Sequence, residues 1–377
     1  MFSNLDYTTL QQLWWLICAV VGSLFLFLNF VQGGQTLLWQ VAKNDVEKSL
    51  VINSLGRKWE LTFTTLVLFG GALFAAFPKF YATSFGGAYW VWMIILFTFI
   101  IQAVSYEYRK KPGNFLGTRT YELFLFINGS LGLLLIGAAV ATFFSGSNFS
   151  LNLYNQVTWD HPLRGLEAAF SLFNLSLGLF LVFNARILGG MYLLNNINFS
   201  AMESFQGRLR RSVRTNFCCA LPFLLYVLVS LLLRSGYGIG ENGVIEVVAY
   251  KYLGNLLAMP LVLGLLLTGL VLVVLSVWLT VHRDSSKGIW PGGLGTVLVG
   301  LSLFSLAGYN QTAFYPSLTD LQSSLTIYNA SSSHYTLVTM TYVALMIPLV
   351  LAYVVYVWRQ MDGQKLAAHE VVDEEAY

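Results

Sequence analysis

The chain has 377 residues, of which 56% are hydrophobic, 15% aromatic and only 10% charged, where a soluble domain carries roughly 25% charged residues. Such a composition takes the bilayer as its solvent. The formal net charge of +3 is small and its basic residues are scattered over short loops, which excludes a nucleic-acid-binding surface.

The N-terminal stretch MFSNLDYTTLQQ has no positive n-region, and no small-residue cleavage site follows the first apolar run. That run is therefore expected to stay as a helix. A spanning helix needs about 20 mostly apolar residues, because hydrocarbon leaves no partner for a free backbone group. Nine stretches meet this: 13–31, 61–81, 89–106, 121–144, 163–194, 217–233, 256–281, 294–309 and 335–358. They make a single polytopic all-α membrane domain over 1–358, with a short acidic tail, 359–377, that is expected to be disordered. Pro222, Pro260 and Pro348 fall within spans and should kink them. Trp14, Trp15, Trp39, Trp90, Trp92, Trp290 and Trp358 cluster towards span ends, where interfacial rings belong. Gly129, Gly132 and Gly137 on the fourth span are candidates for close helix approach.

Orientation follows from Lys and Arg, which accumulate in cytoplasmic loops. With nine spans, Lys43, Lys48, Arg57 and Lys58, then Arg109, Lys110, Lys111 and Arg119, then Arg208, Arg210, Arg211 and Arg214 all fall on one side. Arg283, Lys287, Arg359 and Lys365 join them. The other side has Lys79, Arg164, Arg234 and Lys251 at or near helix ends. The N-terminus is thus expected outside and the C-terminus in the cytoplasm, and a miscounted helix would break this alternation.

Ionisable groups at membrane depth are costly and are read as functional candidates. Glu60 opens the second span, Glu107 ends the third, Glu122 opens the fourth, and Glu167 and Arg186 are assigned to the fifth. Glu60, Glu107 and Glu122 share a depth near the cytoplasmic face. They form either a proton-uptake cluster or interfacial carboxylates paired with Lys58, Arg109 or Arg119. Asn29, Gln32 and Gln35, beside Gly33 and Gly34, are either the polar lining of a cavity or simply the end of a helix. Cys18, Cys218 and Cys219 lie in apolar runs and read as small packing residues, with no zinc or disulfide spacing. His161, His282, His334 and His369 lie in loops, at a helix end or in the tail, so the chain offers no ligand set for a membrane haem and no metal site. No P-loop, H-E-x-x-H or Ser-His-Asp pattern is present.

Several segments carry a resemblance. Leu13-Trp14-Trp15, Val51-Ile52-Asn53-Ser54, Lys58-Trp59-Glu60, the run from Gly70 to Pro78, Tyr106-Glu107-Tyr108-Arg109, Phe314-Tyr315-Pro316-Ser317 and the run from Ser323 to Ser332 resemble subunit II of cytochrome bd-type quinol oxidases, in order and over nearly the whole chain. The resemblance implies two four-helix bundles plus one additional helix in the bacterial inner membrane, and a heterodimer with a haem-bearing subunit I. That partner would hold two haems b and one haem d, oxidise quinol and reduce dioxygen to water, generating a proton motive force in aerobic respiration. This chain, with no catalytic residue of its own, would support subunit I and proton or oxygen access.

The resemblance places acids at Glu60 and Glu122, which carries a proton-pathway role onto them, with Glu107 beside them. It leaves room for a structural quinone in an aromatic-lined groove and for a small accessory subunit. The chain departs from the family pattern at Asn29-Phe30-Val31-Gln32-Gly33-Gly34-Gln35 and at Leu61-Thr62-Phe63, where acidic residues are usual. The rival classes are a secondary transporter, which would need inverted repeats and broken helices converging at midplane, and a purely structural membrane partner.

Overall fold

The computed structural model describes residues 2–200 and 202–371. Among them are nine helices long and apolar enough to cross a membrane. We number these α1 (Tyr7–Gln35), α2 (Asp45–Ala76), α3 (Tyr89–Tyr108), α4 (Thr118–Ser145), α5 (Leu172–Asn196), α6 (Glu203–Leu233), α7 (Pro260–His282), α8 (Ile289–Gly308) and α9 (His334–Met361).

Four of the nine are interrupted, and the interruptions are local. α1 turns at Asn29 between Tyr7–Leu28 and Phe30–Gln35, and α2 breaks at Arg57 and Lys58. α4 carries a π-type turn at Asn128–Gly132, a rare bulge that is frequently found at functional sites. α9 breaks before Ile347, so Pro348 occupies the first turn of a new segment and needs no N–H partner. Pro260 likewise opens α7 after the short helix Lys251–Ala258, and Pro222 alone lies inside a continuous helix.

The two ends of the bundle differ. At one end the α1–α2, α3–α4, α5–α6 and α7–α8 connections and the C-terminal segment meet. There Arg208 pairs with Glu47 at 2.7 Å, Arg210 with Asp284 at 2.9 Å and Lys58 with Asp362 at 3.0 Å. We call this the basic end. At the other end lie three short antiparallel ribbons: β1 (Phe149–Leu151) with β2 (Val157–Trp159), β3 (Gly236–Ile239) with β4 (Ile245–Val248), and β5 (Ala313–Tyr315) with β6 (Leu325–Thr326). They interlock through bridges between Ser147 and Ser317 and between Gly238 and Thr312. These ribbons were not anticipated from the sequence.

Helices cross closely where side chains are missing. A Cβ on Gly33 would lie 2.0 Å from the Ala185 carbonyl carbon, and one on Gly137 2.6 Å from Gly178 Cα. Gly129 and Gly132 are equally tight, against Gln32 O at 2.1 Å and Thr98 Oγ1 at 2.7 Å. The expected small-residue contacts of α4 are therefore real, and Gly33 and Gly34, in the last turn of α1 before it ends at Gln35, also form its crossing with α5.

Other expectations need correction. Glu167 is not on α5: residues Leu166–Phe170 form a 3-10 turn before it, and the carboxylate accepts from Gly165 N at 2.8 Å. Trp14 and Trp15 face the protein interior instead of lipid: both are buried, with Trp14 Nε1 donating to Leu337 O (3.1 Å) and Trp15 Nε1 to Phe304 O (2.9 Å). Cys18 packs in the core, whereas Cys218 and Cys219 face outward from α6.

The tail is ordered as far as Val371. Asp362 also accepts from Asn196 Nδ2 at 3.1 Å, Leu366 pairs in a parallel bridge with Ile197, and Val371 is buried. These buried partners offset the entropy of ordering the segment. Residues 372–377 of the expected disordered tail lie outside the described residues.

Candidate functional site

The broken α1 brings polar groups into the interior. Beyond Asn29 its last turns carry Gln32 and Gln35, which face α3 and α4 because Gly33 and Gly34 are consumed by the α5 crossing. Gln35 is the hub. Its Nε2 donates to Asn128 Oδ1 at 2.7 Å and to Leu125 O at 2.8 Å, and its Oε1 accepts from Gln102 Nε2 at 3.0 Å and Tyr106 OH at 3.1 Å. Asn128 Nδ2 reaches Thr98 Oγ1, and Gln32 Nε2 reaches Gln102 Oε1, both at 3.4 Å. The π-type turn places Asn128 here.

This seam begins at Glu122. Its carboxylate, 2% exposed, accepts from Arg109 Nη2 at 2.9 Å, Lys48 Nζ at 3.0 Å and Trp39 Nε1 at 2.9 Å. One acid thus ties the segment after α1 to α2, α3 and α4. Glu122 lies one turn before Leu125 on α4, and the bonded chain itself joins Leu125, Asn128, Gln35, Gln102 and Gln32. At its inner end both polar atoms of Asn29 and Oε1 of Gln32 are buried without a protein partner. Buried polar groups left this way are ordinarily met by water.

The three sequence-selected acids share a neighbourhood but not a bond. Glu60 follows Trp59, whose ring stacks on Tyr106 at 5.9 Å and 8°, and Glu107 follows Tyr106 itself. Both carboxylates are exposed, and neither side chain makes a hydrogen bond or ion pair among the described residues. Lys58, considered as a partner for Glu60, is committed to Asp362. In the α3–α4 loop, burial and the charge of Arg109 pull Lys110 below the ordinary lysine range. The amides Asn29, Gln32 and Gln35 were visible as a polar stretch in the sequence. Their partners Thr98, Gln102 and Asn128 were not, being single polar residues in apolar runs.

The histidines of this chain do not fit a haem iron. His334 Nε2 contacts Leu5 O at 3.0 Å, His161 Nδ1 lies 3.6 Å from Glu167, His282 ends α7 at the basic end, and His369 sits in the tail. None faces the interior between helices, where a macrocycle would lie. Among the described residues no three His, Cys, Asp or Glu side chains gather as a metal site.

The nine helices among the described residues define a polytopic membrane protein, and comparison with known proteins gives its class. Residues 10–361 match the family model for cytochrome bd terminal oxidase subunit II, and the chain belongs to that family. It is 27% identical over 372 residues to the cytochrome bd-I ubiquinol oxidase subunit 2 of Escherichia coli (strain K12), covering 96% of both chains. A cytochrome bd ubiquinol oxidase subunit 2 of Bacillus subtilis (strain 168) is 28% identical over 139 residues, 37% of this chain and 41% of its own. The fold matches a chain of the bd oxidase from Geobacillus thermodenitrificans with a TM-score of 0.68 at 15% identity, covering 95% of this chain and all of that one. Membership sets aside the transporter reading: the chain is a subunit of a quinol oxidase.

Proposed function

We propose that this chain is the non-haem subunit of the oxidase and that it supplies proton access from its basic end. In this reading the N-terminus is outside and the basic end cytoplasmic, in the bacterial inner membrane; the distribution of Lys and Arg supports the orientation. Two haems b and haem d reside on subunit I, because the histidines here do not fit them. Quinol and dioxygen are substrates of the pair.

The observation that carries the proton reading is the buried polar seam from Glu122 to Asn29. Glu60 and Glu107 collect protons at the open surface around Tyr106. Glu122, held by two cations and an indole, keeps the mouth of the seam in place. The amides beyond it hold water rather than shuttle protons themselves, since an uncharged amide has no proton to pass at ordinary pH. Waters at Asn29 and Gln32 complete the route. A seam lined by amides supports transfer only while those waters stay connected.

The helices fall into two four-helix bundles, with α9 as the additional helix. α9 packs on α1 and α2 mainly through its first half, and its second segment, Ile347–Met361, buries no residue. The outward Leu349, Val350, Tyr353 and Tyr356 are the surface offered to subunit I. A structural quinone would lie along the aromatic-lined crevice between α1, α2, α3, α4 and α8, where Phe25, Phe69, Phe85, Trp92, Phe143 and Phe304 supply stacking faces; its enclosed space of about 30 Å³ has to widen to admit one.

The test is turnover of the two-subunit complex in proteoliposomes. Gln35→Leu and Glu122→Gln should each lower quinol-driven oxygen consumption and coupled proton uptake about tenfold, with the haem spectrum unchanged. Full turnover in both variants would leave the chain a structural partner only.

A further inference from the structure

Arg186 carries a charge that this chain does not neutralise. Its guanidinium is part-buried and firmly aimed: Nε donates to Asn216 Oδ1 at 2.7 Å, Nη2 to Gln40 Oε1 at 2.7 Å and Nη1 to Thr36 Oγ1 at 3.2 Å. Two of these acceptors are themselves fixed. Asn216 Nδ2 donates to Ser212 O at 2.8 Å, and Thr36 Oγ1 to Gly33 O at 2.6 Å. All three are neutral, and among the described residues no carboxylate pairs with Arg186. Of the acids at this end, Glu47 pairs with Arg208 and Glu122 with Arg109 and Lys48, and Glu60 and Glu107 are exposed without a bond to Arg186. Of five guanidinium N–H groups, three have partners, which leaves two donors for something outside the chain.

Depth narrows what that is. Arg186 lies ten residues before Asn196, the end of α5, or about 15 Å along the helix. Its partner Asn216 is followed by Phe217, where the apolar run of α6 begins, and is preceded by Arg208, Arg210, Arg211 and Arg214. Its partner Gln40 follows Trp39, which is 39% exposed. The guanidinium therefore sits where hydrocarbon gives way to head groups on the basic side, which is the level of lipid phosphates. One turn deeper on α5, Phe183 stacks on Phe223 of α6 at 5.9 Å and 12°, an apolar bed for an acyl chain.

We propose that Arg186, framed by Asn216, Gln40 and Thr36, binds the phosphate of a membrane phospholipid in the groove between the end of α1, α5 and α6. The phosphate supplies the missing counter-charge through charge-assisted hydrogen bonds to the two free donors. A free phosphate ion or a carboxylate of another protein would offer similar chemistry, and the experiment separates them.

The two-subunit complex is washed exhaustively in detergent and its phosphorus measured in organic and aqueous extracts. Wild type and Arg186→Lys should keep one more phospholipid per complex than Arg186→Gln. Equal lipid content in all three, or phosphorus recovered only in the aqueous phase, would overturn the proposal. So would an Arg186→Gln variant that loses subunit I while keeping its lipid. Should Arg186→Gln fail to accumulate, delipidated wild type decides: its unfolding midpoint should rise with phosphatidylglycerol in mixed micelles and not with inorganic phosphate, and no rise with the lipid contradicts the site.

Discussion

Lys58 shows how much a single buried charge depends on its partner. Its side chain is 2% exposed, sits at the break in α2 and lies 5.0 Å from the Trp358 ring. Asp362 neutralises it and is in turn held by Asn196, while Arg57 reaches Met361 O and Glu370 from the same turn. Removing one member of a buried pair strands the other and costs about 3–5 kcal/mol. Asp362→Ala should therefore release the C-terminal segment, making the bond after Lys365 cleavable by trypsin in the folded complex; resistance equal to wild type would count against the latch. None of this was legible in the sequence, because Asp362 finds its partners hundreds of residues away. Glu122 was legible as an acid at membrane depth, and its pairing with Arg109 was among the partners considered. Its bonds to Lys48 and Trp39 emerge only when α1 and α2 fold back on α4.

At the scale of the helix, hydropathy located the spans well because hydrocarbon imposes length and apolarity together. It located their ends less well. The run 163–171 is apolar enough to extend α5 on paper, yet positive φ at Arg164 and Gly165 turns the chain there and leaves Glu167 outside the helix. The ribbons escaped notice because each strand has only two to four residues, too few for a two-residue alternation to stand out. What specifies the packing is small residues, and Gly33 is the sharpest case. Gly33→Val would drive a branched side chain into the Ala185 backbone, where no side chain can yield. It should abolish stable accumulation of the chain in membranes, while Gly71→Val, where a Cβ meets nothing within 4 Å, should accumulate normally. Normal levels of both would show that the α1–α5 crossing tolerates separation.

For the whole molecule, the nine spans expected from hydropathy are found among the described residues, and the resemblance to cytochrome bd subunit II is met by a family match over residues 10–361. In the proposed function, the polar seam at the basic end supplies protons that oxygen reduction consumes. The central claim is that this subunit serves a haem-bearing partner without holding haem. A reduced-minus-oxidised visible spectrum of the chain purified alone and with subunit I tests this most directly. The account predicts no haem bands from the lone chain, and b- and d-type bands with quinol oxidation from the pair. Haem bands from the lone chain would contradict it.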